Sequence, residues 1–146
     1  MSEQNLHEQS EAVVTLLSRL MRRLFTLTAD DPAMELPGAQ MRVCNVLWDG
    51  PRTMSALGDE LGISHSAITQ IADRLERAEM VERLPEADDR RCKRLALTQR
   101  GVEVMQARRD RRVGQTVKVL EQLSPQDRQA AVAALETLLD ASQKEL

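Results

Sequence analysis

The 146-residue sequence predicts a mainly α-helical chain with one small β-hairpin. Three observations predict it. Apolar residues recur at three- and four-residue spacing near both ends; two short helical patterns meet at Gly62-Ile63-Ser64; and after Met80 the period changes to that of short strands.

In chain order, Val13, Leu16, Leu17, Leu20, Met21, Leu24 and Leu27 form the stripe of a first long amphipathic helix, expected to end near Asp30. Asp31-Pro32 and Leu36-Pro37-Gly38 mark a loop, and Met41, Cys44, Leu47 and Trp48 then line one face of a shorter helix that Asp49-Gly50-Pro51 stops. Thr53 has the chemistry to cap a third helix, whose face carries Met54, Leu57 and Leu61 and whose end has Gly62 for the left-handed turn. Ser64 caps a fourth, with Ile68, Ile71, Ala72, Leu75 and Ala78 as its apolar stripe. Val81 to Leu84 and Cys92 to Leu97 read as two strands around a polar loop. Thr98 is placed to cap a long helix carrying Val102, Met105, Arg109, Val113, Val117 and Leu120. Ser124-Pro125-Gln126-Asp127 opens the last helix with a cap, a proline at the first position and an acid at the third; Val132, Leu135, Leu138 and Leu139 are its apolar face.

Together these elements make a winged helix-turn-helix flanked by N- and C-terminal helices. The division expected is an N-terminal dimerisation helix over 1–35, a winged lobe over 36–101 and C-terminal dimerisation helices over 102–146, within one chain lacking an independent second domain.

Composition narrows the function. The net charge is -3, from 20 Lys plus Arg against 23 Asp plus Glu, so any polyanion must bind to a local basic surface. From Arg83 to Arg100 six basic residues face three acidic ones, which supplies one. Aromatic residues are 1% of the chain, against a base-stacking single-strand platform and in favour of duplex DNA read by helices. No apolar run is long enough to span a membrane and the N-terminus lacks a signal-peptide layout, so a cytoplasmic protein is expected. Two cysteines without a CxxC pair and two scattered histidines suggest no metal site and no cofactor. Neither histidine accompanies a nucleophile and carboxylate, and there is no phosphate-binding Gly loop, so no enzyme is expected. The terminal helices have stripes to bury, most simply against a second copy. A two-fold homodimer would present two recognition helices about 34 Å apart, one turn of B-DNA, to a pseudo-palindromic operator.

Asp89-Arg90-Arg91, Lys93, Leu97-Thr98 and Gly101 resemble the D-R-R-x-K-x-x-x-L-T-x-x-G wing signature of the MarR (multiple antibiotic resistance regulator) family of bacterial transcription regulators. Leu61 to Glu76 is similar to that family's turn and recognition helix, and the resemblance covers nearly the whole chain. It implies a DNA-binding regulator, most simply a repressor released by a small effector. Ser66, Thr69 and Gln70 are the candidates for base edges, with Ser64 and His65 near the helix N-terminus and Arg74 for phosphate. Many members carry Arg where this chain has Gln70, whose amide has the geometry to read adenine. Thr53 and Ser55 are candidate phosphate donors from the preceding helix. The resemblance puts Arg90 and Arg91, with Lys93 beside them, at the wing and in the minor groove, and Asp89 in the role of orienting an arginine. It also implies a groove for a small aromatic or anionic effector, for which Arg19, Arg23 and Trp48 are candidates. Some members sense oxidants, which makes Cys92, near arginines, and Cys44 the redox candidates and cysteine-based sensing an alternative. A further alternative is a ligand-responsive interaction module with little DNA binding.

Overall fold

The computed structural model describes residues 3–25, 36–85 and 93–145. Six helices and three strands occur among them: α1 (Glu3–Leu24), α2 (Gly38–Trp48), β1 (Arg52–Thr53), α3 (Met54–Leu61), α4 (His65–Arg77), β2 (Val81–Pro85), β3 (Lys93–Leu97), α5 (Gln99–Leu120) and α6 (Pro125–Glu145). They divide into two compact units, 27–110 and 1–26 with 111–146.

The first unit is the winged lobe. Its core joins Val43, Cys44 and Leu47 of α2, Leu57 of α3, Ile68, Ala72 and Leu75 of α4, Val81 of β2, Leu95 of β3 and Met105 of α5. Leu57, Ile68, Leu75 and Leu95 are sealed from solvent, and each contributes about 1.5–3 kcal/mol relative to an exposed site. The helix boundaries follow from side-chain chemistry. Thr53 Oγ1 accepts from Ala56 N at 3.1 Å and Ser64 Oγ from Ala67 N at 3.3 Å, satisfying amide donors that α3 and α4 leave open. Gly62 takes φ 63° beyond α3, as expected of the residue that reverses the chain between the two helices. After α4 the same reversal is made by Glu79, at φ 58°. Met80 N donates to Leu75 O and Glu79 N to Glu76 O, a Schellman closure without glycine.

The sheet has three strands in the order β1-β3-β2, both pairs antiparallel: the expected hairpin of β2 and β3, with a third strand added to it. The extra strand is the pair Arg52 and Thr53, opposite Leu95 and Arg94, too short to show an alternating period. β2 and β3 run in register from Val81 opposite Leu97 to Pro85 opposite Lys93. At the base of the hairpin, Thr98 N donates to Met80 O at 3.0 Å and Thr98 Oγ1 to Glu79 O at 2.5 Å. The same hydroxyl oxygen accepts from Gly101 N at 3.0 Å, capping α5. Gly101 is required here, because a Cβ would lie 2.1 Å from Met80 O.

The second unit is helical. α1 runs to Leu24, with Phe25 in a turn; the end expected near Asp30 lies outside the described residues. The Arg112 guanidinium lies 4.4 Å over the Phe25 ring. Ser124 opens α6: its Oγ accepts from Asp127 N and donates to Asp127 Oδ2. Arg128 Nε donates to Leu120 O and Leu123 O, satisfying carbonyls at the end of α5.

Candidate nucleic-acid interface

The recognition helix α4 sorts its side chains into three stripes. Ile68, Ile71, Ala72 and Leu75 are buried; Ser66, Gln70, Arg74 and Arg77 are exposed on the opposite side; Thr69, Asp73 and Glu76, half-buried, run between them. The 3.6-residue period produces this division, and the outer stripe carries an amide, a hydroxyl and two guanidinium groups without a carboxylate. Ser64, Ser66 and His65 cluster at the N-terminal end, all exposed, with the two serine hydroxyls 3.3 Å apart. Thr69 is the least available of the base-edge candidates, since its Oγ1 donates to His65 O at 3.0 Å.

At the N-terminus of α3, Thr53 is committed as an acceptor to its cap, but its O–H remains a donor, and Ser55 is exposed in the first turn. Arg42 Nη2 donates to Leu61 O at 3.1 Å, finishing α3. Lys93 is exposed at the start of β3. Asp89, Arg90, Arg91 and Cys92 lie outside the described residues.

Of the redox candidates, Cys44 belongs to the core. It is fully buried, and burial pushes its thiol up from 9.0 to about 11. Burial therefore disfavours the nucleophilic thiolate at Cys44. The effector-groove candidates divide between units: Arg19 and Arg23 are exposed on α1, whereas Trp48 lines an apolar pocket of about 290 Å³ in the winged lobe with Leu47, Pro51, Ala96, Leu97 and Val102.

Arg83 is the residue that sequence reasoning missed. From β2, its Nη2 meets Asp73 Oδ1 at 2.8 Å and its Nη1 meets Glu76 Oε1, so one guanidinium spans both carboxylates of the half-buried stripe. A trace of this was in the sequence, since Asp73 and Glu76 are three residues apart and off the apolar face. Among the described residues no helix is long and apolar enough to cross a membrane.

Residues 35–91 match the model of the MarR family. The whole chain is similar to solved structures. Rv1404 from Mycobacterium tuberculosis is 29% identical with a TM-score of 0.81, over 97% of each chain. A MarR family protein from Bacillus stearothermophilus is 19% identical with a TM-score of 0.81, over 98% of this chain and 99% of that one. The PcaV transcriptional regulator from Streptomyces coelicolor, solved with its natural ligand, is 22% identical with a TM-score of 0.59, over 87% and 91%. No curated protein matches the sequence.

Proposed function

Because residues 35–91 match the MarR family model, we propose that the chain is a DNA-binding transcription regulator of that family, working as a homodimeric repressor of a pseudo-palindromic operator and released by a small aromatic or anionic effector. The observation that carries the DNA reading is the outer stripe of α4, with Ser66, Gln70 and Arg74 exposed on a helix whose start is fixed by the Ser64 cap. In this reading α4 enters the major groove. Ser66 and Gln70 meet base edges, with Thr69 in a lesser part; Ser64 and His65 sit at the entry of the helix, and Arg74 takes phosphate. Thr53, Ser55 and Lys93 add backbone contacts, while Arg90 and Arg91, oriented by Asp89, reach the minor groove.

Dimerisation is supported by the exposed leucines of α1 and α6, which a second copy would cover. Effector release is supported by the PcaV likeness and by the apolar pocket at Trp48. An effector weakens operator binding only by preferring the dimer geometry that does not fit DNA, with a coupling of about 1–3 kcal/mol.

The test is a titration of the protein against the duplex upstream of its own gene and against a random duplex, at several salt concentrations. Specific binding predicts a preference for the first, with log K falling linearly as log salt rises. Equal binding to both duplexes would overturn the regulator reading and favour an interaction module.

A further inference from the structure

We propose that Arg83 is a positioning residue for DNA recognition: it touches no DNA, and by gripping Asp73 and Glu76 it sets the wing strands against the recognition helix. The inference rests on the DNA-binding reading above. The geometry is that of a fork. One guanidinium on β2 reaches two carboxylates three residues apart on α4, through Nη2 to Asp73 at 2.8 Å and through Nη1 to Glu76. A lysine, with one ammonium, could not span both in this planar arrangement.

The place of the two carboxylates makes the grip functional. Asp73 follows Ser66 by seven residues, nearly two whole turns, so it lies along α4 from a side chain proposed to meet the bases. Left free, Asp73 and Glu76 would point negative charge toward the phosphates flanking the groove. Arg83 turns them onto β2 instead. The backbone of Arg83 is opposite buried Leu95 in the ladder, so a fixed Arg83 fixes β3 as well, and with it both strands leading to residues 86–92.

The strands have anchors besides this grip. The strands are already held by Val81 and Leu95 in the core and by the ladder from Val81 to Pro85. The Asp73 pair is partly solvated, with the Arg83 side chain 27% and Asp73 44% exposed, and such a pair adds little to folding, whereas Glu76 Oε1 is buried against Arg83. What they add is a defined orientation between two surfaces that must engage adjacent grooves together.

Electrostatics and positioning predict opposite signs for one variant. Asp73→Asn with Glu76→Gln removes two negative charges beside the DNA surface, so charge alone predicts tighter binding and a freed Arg83 cation predicts a steeper salt dependence. The positioning role predicts weaker binding. The experiment measures affinity for the duplex upstream of the gene, and its salt slope, for the wild type, Arg83→Met and the double variant, with melting curves establishing that each is folded. The expected result is a loss of about fivefold or more for both variants, with the slope of the wild type. Arg83→Met binding as tightly as the wild type overturns the assignment. So does a slope made shallower by about 0.9, the mark of a lost phosphate contact, or a double variant that binds more tightly. Should Arg83→Met not fold, the double variant decides alone. A wild type that does not prefer this duplex to a random one overturns the DNA reading and the assignment together; unaffected variants of a specific wild type overturn only the assignment.

Discussion

Leu57, Ile68, Leu75 and Leu95 in the winged lobe are fully enclosed, whereas Leu16 and Leu17 of α1 and Leu135, Leu138 and Leu139 of α6 keep about half their surface in water. Apart from Leu95 on β3, the residues of both sets lie on apolar helix stripes in the sequence, and periodicity treats those alike. The difference lies in what covers them. The lobe brings α2, α3, α4, β3 and α5 around one centre, while every described side chain of α1 except Leu24 is exposed. An amphipathic stripe therefore specifies that a face needs covering and not whether the same chain covers it.

The largest expected effects test that contrast. Leu75→Ala leaves a cavity in the lobe and should cost about 2–5 kcal/mol, seen as a lower melting temperature at every protein concentration. Leu138→Ala should leave the melting of the lobe in place and move the midpoint of the proposed dimer about tenfold or more toward higher concentration in sedimentation. A loss for Leu138→Ala that ignores concentration would break the contrast.

Within α5 alone, two glycines sharpen it. Gly101 packs against Met80 O and the Leu97 side chain, and Gly101→Ala forces the first turn of α5 away from the wing base, at about 1–3 kcal/mol. A Cβ at Gly114 meets nothing within 4 Å, so Gly114→Ala should raise stability by about 1 kcal/mol, the helix propensity of alanine over glycine. Denaturant midpoints of the two variants should move in opposite directions; a Gly114→Ala loss would mean that a second copy occupies the space beside it.

The smallest effect concerns Glu79, which holds a left-handed conformation that glycine holds without strain. Glu79→Gly is expected to stabilise by about 0.5–1 kcal/mol, raising the melting temperature of the lobe by a few degrees. Unchanged or lower stability would mean that the strain at this turn is offset by the flexibility that glycine adds to the unfolded chain.

Most of the lobe was legible because its signals are local. Thr53, Ser64 and Thr98 cap the helices their positions in the sequence suggested, as Ser124 does in the second unit; Gly62 makes the expected turn, and the outer stripe of α4 follows from its period. What escaped is non-local. β1 is two residues whose strand character comes only from pairing with Leu95 and Arg94, far along the chain. The Arg83 clamp joins a strand to a helix across ten and seven residues, a distance at which a charge count records an excess of cations but not whom they face. Val43 was absent from the predicted face of α2, although with Gln40, Cys44 and Leu47 it follows the three- and four-residue spacing of one buried face. The basic wing from Asp89 to Cys92, the most distinctive stretch of the sequence, lies outside the described residues.

The base of the wing has a kinetic consequence. Glu79, Met80, Thr98 and Gly101 are joined through consecutive hydrogen bonds in which a single threonine uses its amide and both capacities of its hydroxyl. The end of the recognition helix, the return strand and the first turn of α5 thus cannot open separately without orphaning groups of their neighbours. The amide protons of Met80, Thr98 and Gly101 are therefore expected to share one opening free energy in deuterium exchange, set by that unit and not by the exposure of each residue.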